Sequence, residues 1–225
     1  MSTFTPKAVL FDCDGVLADS EPVVSRVVAD ELTARGWPLT PAEAEVTFLG
    51  MSFPTIVPLI EAQVGPLPAD WPETMKRRTA AVMAEEVTAI PGAADALAAV
   101  RRAGLPIALG SNSSQVELSA KLTRLGFTDF FEGRIFSFED VPRAKPEPDV
   151  YLAAAASCGV EPAECAVVED SAAGARAGVA AGCTVLGFAH VTEAEVLLAA
   201  GARATFTKMA GLPELLGLAR ALTES

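Results

Sequence analysis

At 225 residues, 51% of them apolar, and with a formal net charge of −12, the chain can bury a sizeable core and does not belong to the disordered class. That charge argues against nucleic acid and anionic membrane surfaces as partners, since both attract basic proteins. Cys13, Cys158, Cys165 and Cys183 form no Cys-x-x-Cys pair, Met1 to Lys7 carries no signal-peptide pattern, and no apolar run reaches the roughly 18 residues of a spanning helix, so a reducing cytoplasm is the expected location.

Residues 7–11 read as a short buried parallel strand ending at Asp12. In Asp12-Cys13-Asp14 the carboxylates lie two residues apart, which in extended chain turns both toward one space, and Gly15 lets the backbone bend sharply just beyond. The next comparable strand is 106–110, ending at Ser111. The interval far exceeds the roughly 30 residues of a strand–helix–strand unit. Within it, 23–34, 41–48, 56–64 and 74–87 follow helical patterns and no strand is apparent. The remainder of the interval is one crossover helix, 92–103, stopped by Gly104. A helical domain, 18–87, is therefore expected inside an α/β core of 1–17 and 88–225.

Beyond Ser111 the pattern alternates: helix 115–125, strand 134–137, helix 149–157, strand 165–168, helix 172–181 and strand 183–188. Thr192 with Glu195 reads as a capping box for a helix ending near Gly201, followed by strand 204–206 and a helix over 212–222. This is the alternation of a Rossmann-like doubly wound parallel sheet. Its functional clusters fall at the C-terminal strand edge, where open α/β sheets bind ligands.

These clusters complement one another chemically. A carboxylate about 3.5 Å from a phosphate dianion is repelled by roughly 9 kcal/mol at an effective dielectric of 20, so Asp12 could act on a phosphate only with compensating charge. Glu169 and Asp170, after the apolar run 165–168, are placed to hold Mg²⁺, although Asp170 or Ser171 also suits a helix N-cap. Ser111 and Asn112 open the turn into helix 115–125, whose free N–H groups suit phosphate oxygens; Ser113 or Ser114 would cap it. Lys145, between Ala144 and Pro146, can cancel charge beside the nucleophile or be an ordinary surface lysine. Gly50 and Ser52 read as loop residues facing the core or as a plain helix-to-helix turn. Lys76, in Lys76-Arg77-Arg78, is a positive position within reach of an anionic substrate, or part of a solvated face. His190, the sole histidine, reads as a rim or structural residue.

Two stretches, Phe-Asp-x-Asp-Gly-Val-Leu-x-Asp-Ser-Glu (Phe11 to Glu21) and Val-Glu-Asp-Ser-x-x-Gly-x-x-Ala-Gly (Val168 to Gly178), resemble the haloacid dehalogenase-like superfamily, in its phosphatase branch with a helical cap. The resemblance covers essentially the full length. It implies that Asp12 is a nucleophile forming an aspartyl-phosphate. Asp14 would protonate the leaving alcohol and then activate water, Ser111 and Asn112 would bind the phosphoryl oxygens, and Lys145 would stabilise charge. Mg²⁺ would be held by the Asp12 side chain, the Asp14 main-chain oxygen and Asp170, with Glu169 directly or through water. Dehalogenases of the family lack the second aspartate. Mutases of the β-phosphoglucomutase kind carry a His in the first cap helix and an Arg after Gly-x-Ser, whereas this chain has Pro22-Val23-Val24-Ser25 and Gly50-Met51-Ser52-Phe53-Pro54. A phosphatase of small phosphorylated metabolites, sugar or sugar-acid phosphates, is the expectation. A sugar phosphomutase is second, and a non-catalytic phospho-switch module, which would leave Asp14 without purpose, is third. No heptad or apolar stripe declares a protein partner.

Overall fold

A computed structural model describes residues 4–48 and 53–218. In chain order, β1 (Ala8–Phe11) and the two-residue β2 (Ala18–Asp19) precede α1 (Glu21–Ala34), α2 (Pro41–Phe48), α3 (Phe53–Val64) and α4 (Trp71–Glu86). Then come β3 (Thr88–Ala89), α5 (Ala93–Arg102), β4 (Ile107–Gly110), α6 (Gln115–Leu125), α7 (Thr128–Phe131) and β5 (Ile135–Phe136). The chain continues through α8 (Asp149–Ser157), β6 (Cys165–Glu169), α9 (Ala172–Ala180), β7 (Thr184–Phe188), α10 (Ala194–Ala199), β8 (Ala204–Phe206) and α11 (Leu212–Leu215).

The six strands expected from the sequence form one parallel sheet in the order β5-β4-β1-β6-β7-β8. All four residues of β1 are buried, and they serve two cores. Val9 and Phe11 join Leu97, Leu118, Leu122 and Phe188 on one face. Leu10 joins Tyr151, Ala154, Val167 and Leu197 on the other. A strand covered on both faces has no polar side to show, which is why it reads as an unbroken apolar run. This is the expected Rossmann-like doubly wound fold with a helical insertion. Chain order reverses beside β1, with β4 and β5 to one side and β6 to β8 to the other, and ligands bind at such a switch point.

Helices α1 to α4 surround their own cluster of Val27, Val28, Leu32, Ile60, Trp71 and Met75. Met83 of α4 and Val23 of α1 extend into the core cluster that holds Leu118 and Leu122, so the insertion rests on α6. Lys76 reinforces this contact: its Nζ lies 2.9 Å from Glu139 Oε1 in the loop after β5. The strands β2 and β3 pair antiparallel, Ala18 opposite Ala89 and Asp19 opposite Thr88. The outgoing and returning crossings of the insertion thus lie side by side. Two residues per strand are too few to show a period, so the ribbon was not legible in the sequence.

One expectation is corrected. Thr192 does not cap α10; its N-cap is Glu193, without a side-chain cap bond, which makes Glu195 the second helical residue and breaks the spacing a capping box requires. Capping boxes are observed instead at α2, where Thr40 and Glu43 satisfy each other's backbone N–H groups, and at α6, where Ser114 and Glu117 do the same. Ser171 caps α9 by accepting from the Gly174 N–H. The expected last helix, 212–222, is α-helical only over Leu212–Leu215 and turns at Gly217, and its residues 219–222 lie outside the described residues. Among those residues no helix is long and apolar enough to cross a membrane.

Candidate active site

The site is built on the turn after β1. The Asp12 N–H donates to Val168 O at 3.0 Å, which ties that turn to β6. Gly15 adopts φ +72°, and a Cβ there would lie 1.9 Å from Asp170 Oδ2. Glycine is therefore required twice over, for the left-handed backbone and for the approach of Asp170.

Asp12, Glu169 and Asp170 converge, with one oxygen from each lying within 4.8 Å of the others. Lys145 enters this cluster, its Nζ 2.7 Å from Asp12 Oδ1 and 2.6 Å from Glu169 Oε1. Tyr151 OH donates to the same Glu169 oxygen at 2.8 Å, and Glu169 Oε2 accepts from the N–H groups of Asp170 and Ser171 and from Ser171 Oγ. Glu169 is fully buried. Burial, and then the neighbouring Glu169 and Asp14 charges working against Lys145, push Asp12 up to about 7. Burial, then Glu169 and Asp12, raise Asp170 well above the ordinary carboxylate range. Burial disfavours the Lys145 ammonium, but Asp12 and Glu169 outweigh it and drive its pKa upward. Three carboxylates, two buried and one half-buried, outnumber the one ammonium, and an all-oxygen donor set of this kind fits a hard divalent cation.

Asp14 sits in a different environment. Lys121 Nζ lies 2.6 Å from its Oδ1, Ser113 Oγ donates to Oδ2 at 2.7 Å, and Ser20 Oγ also donates to Oδ1. Burial acts to raise Asp14, but Lys121, Ser20 and Ser113 together bring it down to about 2. The two aspartates therefore each have their own lysine.

Asp12, Asp14, Ser111, Asn112, Lys145, Glu169 and Asp170 are all brought together, though not always in the expected manner. Asn112 spends its side chain on the backbone of Lys145, accepting from its N–H at 2.9 Å and donating to its carbonyl at 3.2 Å. Lys145 lies in the loop between β5 and α8, not at a strand end, and this amide clamp draws it over the sheet edge. Ser111 Oγ accepts from the Ser113 N–H at 3.0 Å. Lys76 pairs with Glu139 at 2.9 Å, and Arg77 and Arg78 pair with Glu73 and Glu31, so the positive patch is matched by carboxylates. Gly50 and Ser52 lie outside the described residues. His190 is exposed and stacks on Phe188, ring centroids 5.3 Å apart.

Sequence reasoning missed Lys121, Tyr151 and Ser20, and it read Ser113 only as a possible cap. Lys121 did leave a signal: it falls on the face of α6 shared by the buried Leu118 and Leu122, and a lysine there demands a buried partner.

Residues 6–182 match the model of the haloacid dehalogenase-like hydrolases. The chain belongs to that family and is a hydrolase of that class. It is 30% identical to the 6-phosphogluconate phosphatase of Escherichia coli K12 over 93% of this chain and 94% of the relative. It is 36% identical to hexitol phosphatase A of the same organism, over 80% and 82% of the two chains. Among solved structures, a family hydrolase from Deinococcus radiodurans with bound phosphate and sodium superposes with a TM-score of 0.76 at 36% identity, covering 96% of this chain and 98% of that one.

Proposed function

We propose that this chain is a Mg²⁺-dependent phosphatase that hydrolyses phosphomonoesters of small carbohydrates through an aspartyl-phosphate on Asp12. The observation that carries this reading is the pair of aspartates on one turn, one in a cation-ready cluster with Lys145 and the other outside it. The relatives named 6-phosphogluconate phosphatase and hexitol phosphatase A support the substrate class.

In the first step an Asp12 carboxylate oxygen attacks phosphorus, the ester P–O bond breaks, and Asp14, a carboxylate in the free protein, takes the proton of the monoanionic phosphomonoester and passes it to the departing alkoxide. In the second, Asp14 takes a proton from water, whose oxygen attacks the phosphoryl group and frees Asp12, and the proton departs with the product phosphate, which returns Asp14 to its carboxylate. Lys145 balances charge beside Asp12, and the Ser111 hydroxyl and the Asn112 backbone N–H would bind the phosphoryl oxygens, the N–H groups of Ser111, Ser113, Ser114 and Gln115 being bonded within the protein. Asp12, Asp170 and the Asp14 main-chain oxygen would hold Mg²⁺. Glu169, whose oxygens already accept five hydrogen bonds, orients that set through Lys145 and its own turn. Bound there, Mg²⁺ supplies the positive charge that keeps Asp12 ionised and neutralises the phosphate. Residues 18–87 act as a cap over the core of 1–17 and 88–225, swinging on the ribbon of β2 and β3 and excluding water when closed. Gly50, Ser52 and Lys76 are the cap positions assigned to selectivity.

The test is phosphate release from hexitol phosphates, 6-phosphogluconate and other sugar phosphates, with Mg²⁺ or with chelator, for the wild type, Asp12→Asn and Asp14→Asn. Turnover that needs Mg²⁺ and falls by about 10³-fold or more in Asp12→Asn is expected. Full turnover by Asp12→Asn, or release indifferent to chelation, would falsify the assignment.

A further inference from the structure

Lys121 has no part in the mechanism above, yet its side chain is completely buried and points at that mechanism's proton-carrying group. It lies on α6, whose first turn is fixed by the Ser114–Glu117 capping box, so it is delivered by a rigid element. Its ammonium reaches Asp14 Oδ1 at 2.6 Å and Ser113 Oγ at 2.7 Å, and Ser113 Oγ donates onward to Asp14 Oδ2 at 2.7 Å. Lys121, Ser113 and Asp14 thus form a closed ring of contacts that addresses both carboxylate oxygens and removes the freedom of the carboxylate to rotate. Between Leu118 and Leu122, both in the core, an apolar side chain would satisfy packing alone. A buried ammonium is a poor choice for packing, because its lost hydration has to be matched. The clamp is independent of Lys145, which serves Asp12 on the far side of the same turn.

We propose that Lys121 is a positioning residue that, through its ring with Ser113, fixes the Asp14 carboxylate in the orientation used for proton transfer to the leaving group. The inference rests on the reading of Asp14 as the acid and base of the reaction. A positioning role reads out in the dependence on leaving group. An alkoxide needs a proton as it departs and p-nitrophenolate does not, so misplacing Asp14 penalises alkyl phosphates selectively.

The experiment compares kcat/KM for a hexitol phosphate and for p-nitrophenyl phosphate in the wild type, Lys121→Met, Lys121→Arg, Ser113→Ala, Asp14→Asn and the Lys121→Met/Asp14→Asn double variant. Lys121→Met is expected to lower the alkyl-to-aryl ratio by about tenfold or more, and Lys121→Arg to restore most of it. In the Asp14→Asn background the Lys121 change should leave that ratio unaltered, because the two act as one unit. Ser113→Ala, which keeps the buried charge paired, should shift the ratio in the same direction and covers the case in which Lys121→Met does not fold. A ratio unchanged in Lys121→Met and Ser113→Ala, with both substrates falling together, overturns the positioning role and leaves Lys121 structural. An Asp14→Asn enzyme with an undisturbed alkyl-to-aryl ratio overturns the reading of Asp14 itself.

Discussion

Asp12 and Asp14 differ by two positions and by the electrostatics imposed on them. Asp12, pushed up to about 7 from an ordinary 3.8, holds a proton in the folded metal-free protein that it loses in the unfolded chain. Its contribution to stability is therefore fully present below pH 4 and is lost as pH rises toward 7. Chemical denaturation of chelated protein should show stability falling across that window, and Asp12→Asn should flatten the slope. Tyr151→Phe deletes one hydrogen bond to Glu169 and should raise the Mg²⁺ concentration for half-maximal activity by about tenfold, measured by titrating the metal at fixed substrate. At this scale Asp12, Asp14, Ser111, Glu169 and Asp170 were legible because they fall beside strand ends, whereas Lys145 lies in the loop before α8. The direction of each side chain was not legible. The two-residue spacing predicts a shared space for both aspartates, but the extended backbone ends at Phe11 and Gly15 turns the chain, so Asp14 finds Lys121.

The elements hold the site by close backbone approach. A Cβ on Gly174, in the first turn of α9, would meet Glu169 Oε1 at 1.6 Å, so α9 can seat itself only against a bare backbone. Gly174→Ala should move Glu169, lower stability by about 2 kcal/mol or more, and weaken Mg²⁺ activation together with it; thermal unfolding and the metal titration check both. Ser114→Ala should be milder, about 1 kcal/mol in denaturant midpoint, since it removes one cap from α6. The core strands and most helices were readable from apolar runs and from the glycines that stop them. The start of α10 was displaced by a single residue, which was enough to cancel the expected capping box, because such a pair depends on three-residue spacing.

Over the whole molecule, an acidic protein of net charge −12 places Lys145 and Lys121 in its interior beside Asp12 and Asp14, positive charge set where the proposed reaction needs it. The insertion adds an ion pair across its contact with the core, Lys76 to Glu139, with Lys76 Nζ also 5.2 Å from the Phe138 ring centre. Such a partly exposed pair contributes at most about 1 kcal/mol, so Glu139→Gln should raise KM by no more than about fivefold, an effect that added salt reproduces in the wild type. That the insertion exists was plain from the long interval between the first two core strands. How it rests on the core was not, since Met83 and Glu139 carry no local signature.

The ribbon of β2 and β3 has a consequence for descent as much as for motion. Because Ala18 faces Ala89, the chain leaves the core and rejoins it at one address, and the whole excursion through α1 to α4 closes on itself. A segment with adjoining ends can be lengthened, exchanged or grafted from a relative without disturbing the strands that carry the chemistry. With selectivity in the excursion and chemistry on the core, as proposed above, the two would be inherited separately: one core would acquire new specificities by trading its excursion, while Asp12, Asp14, Lys145 and Asp170 stay where they are.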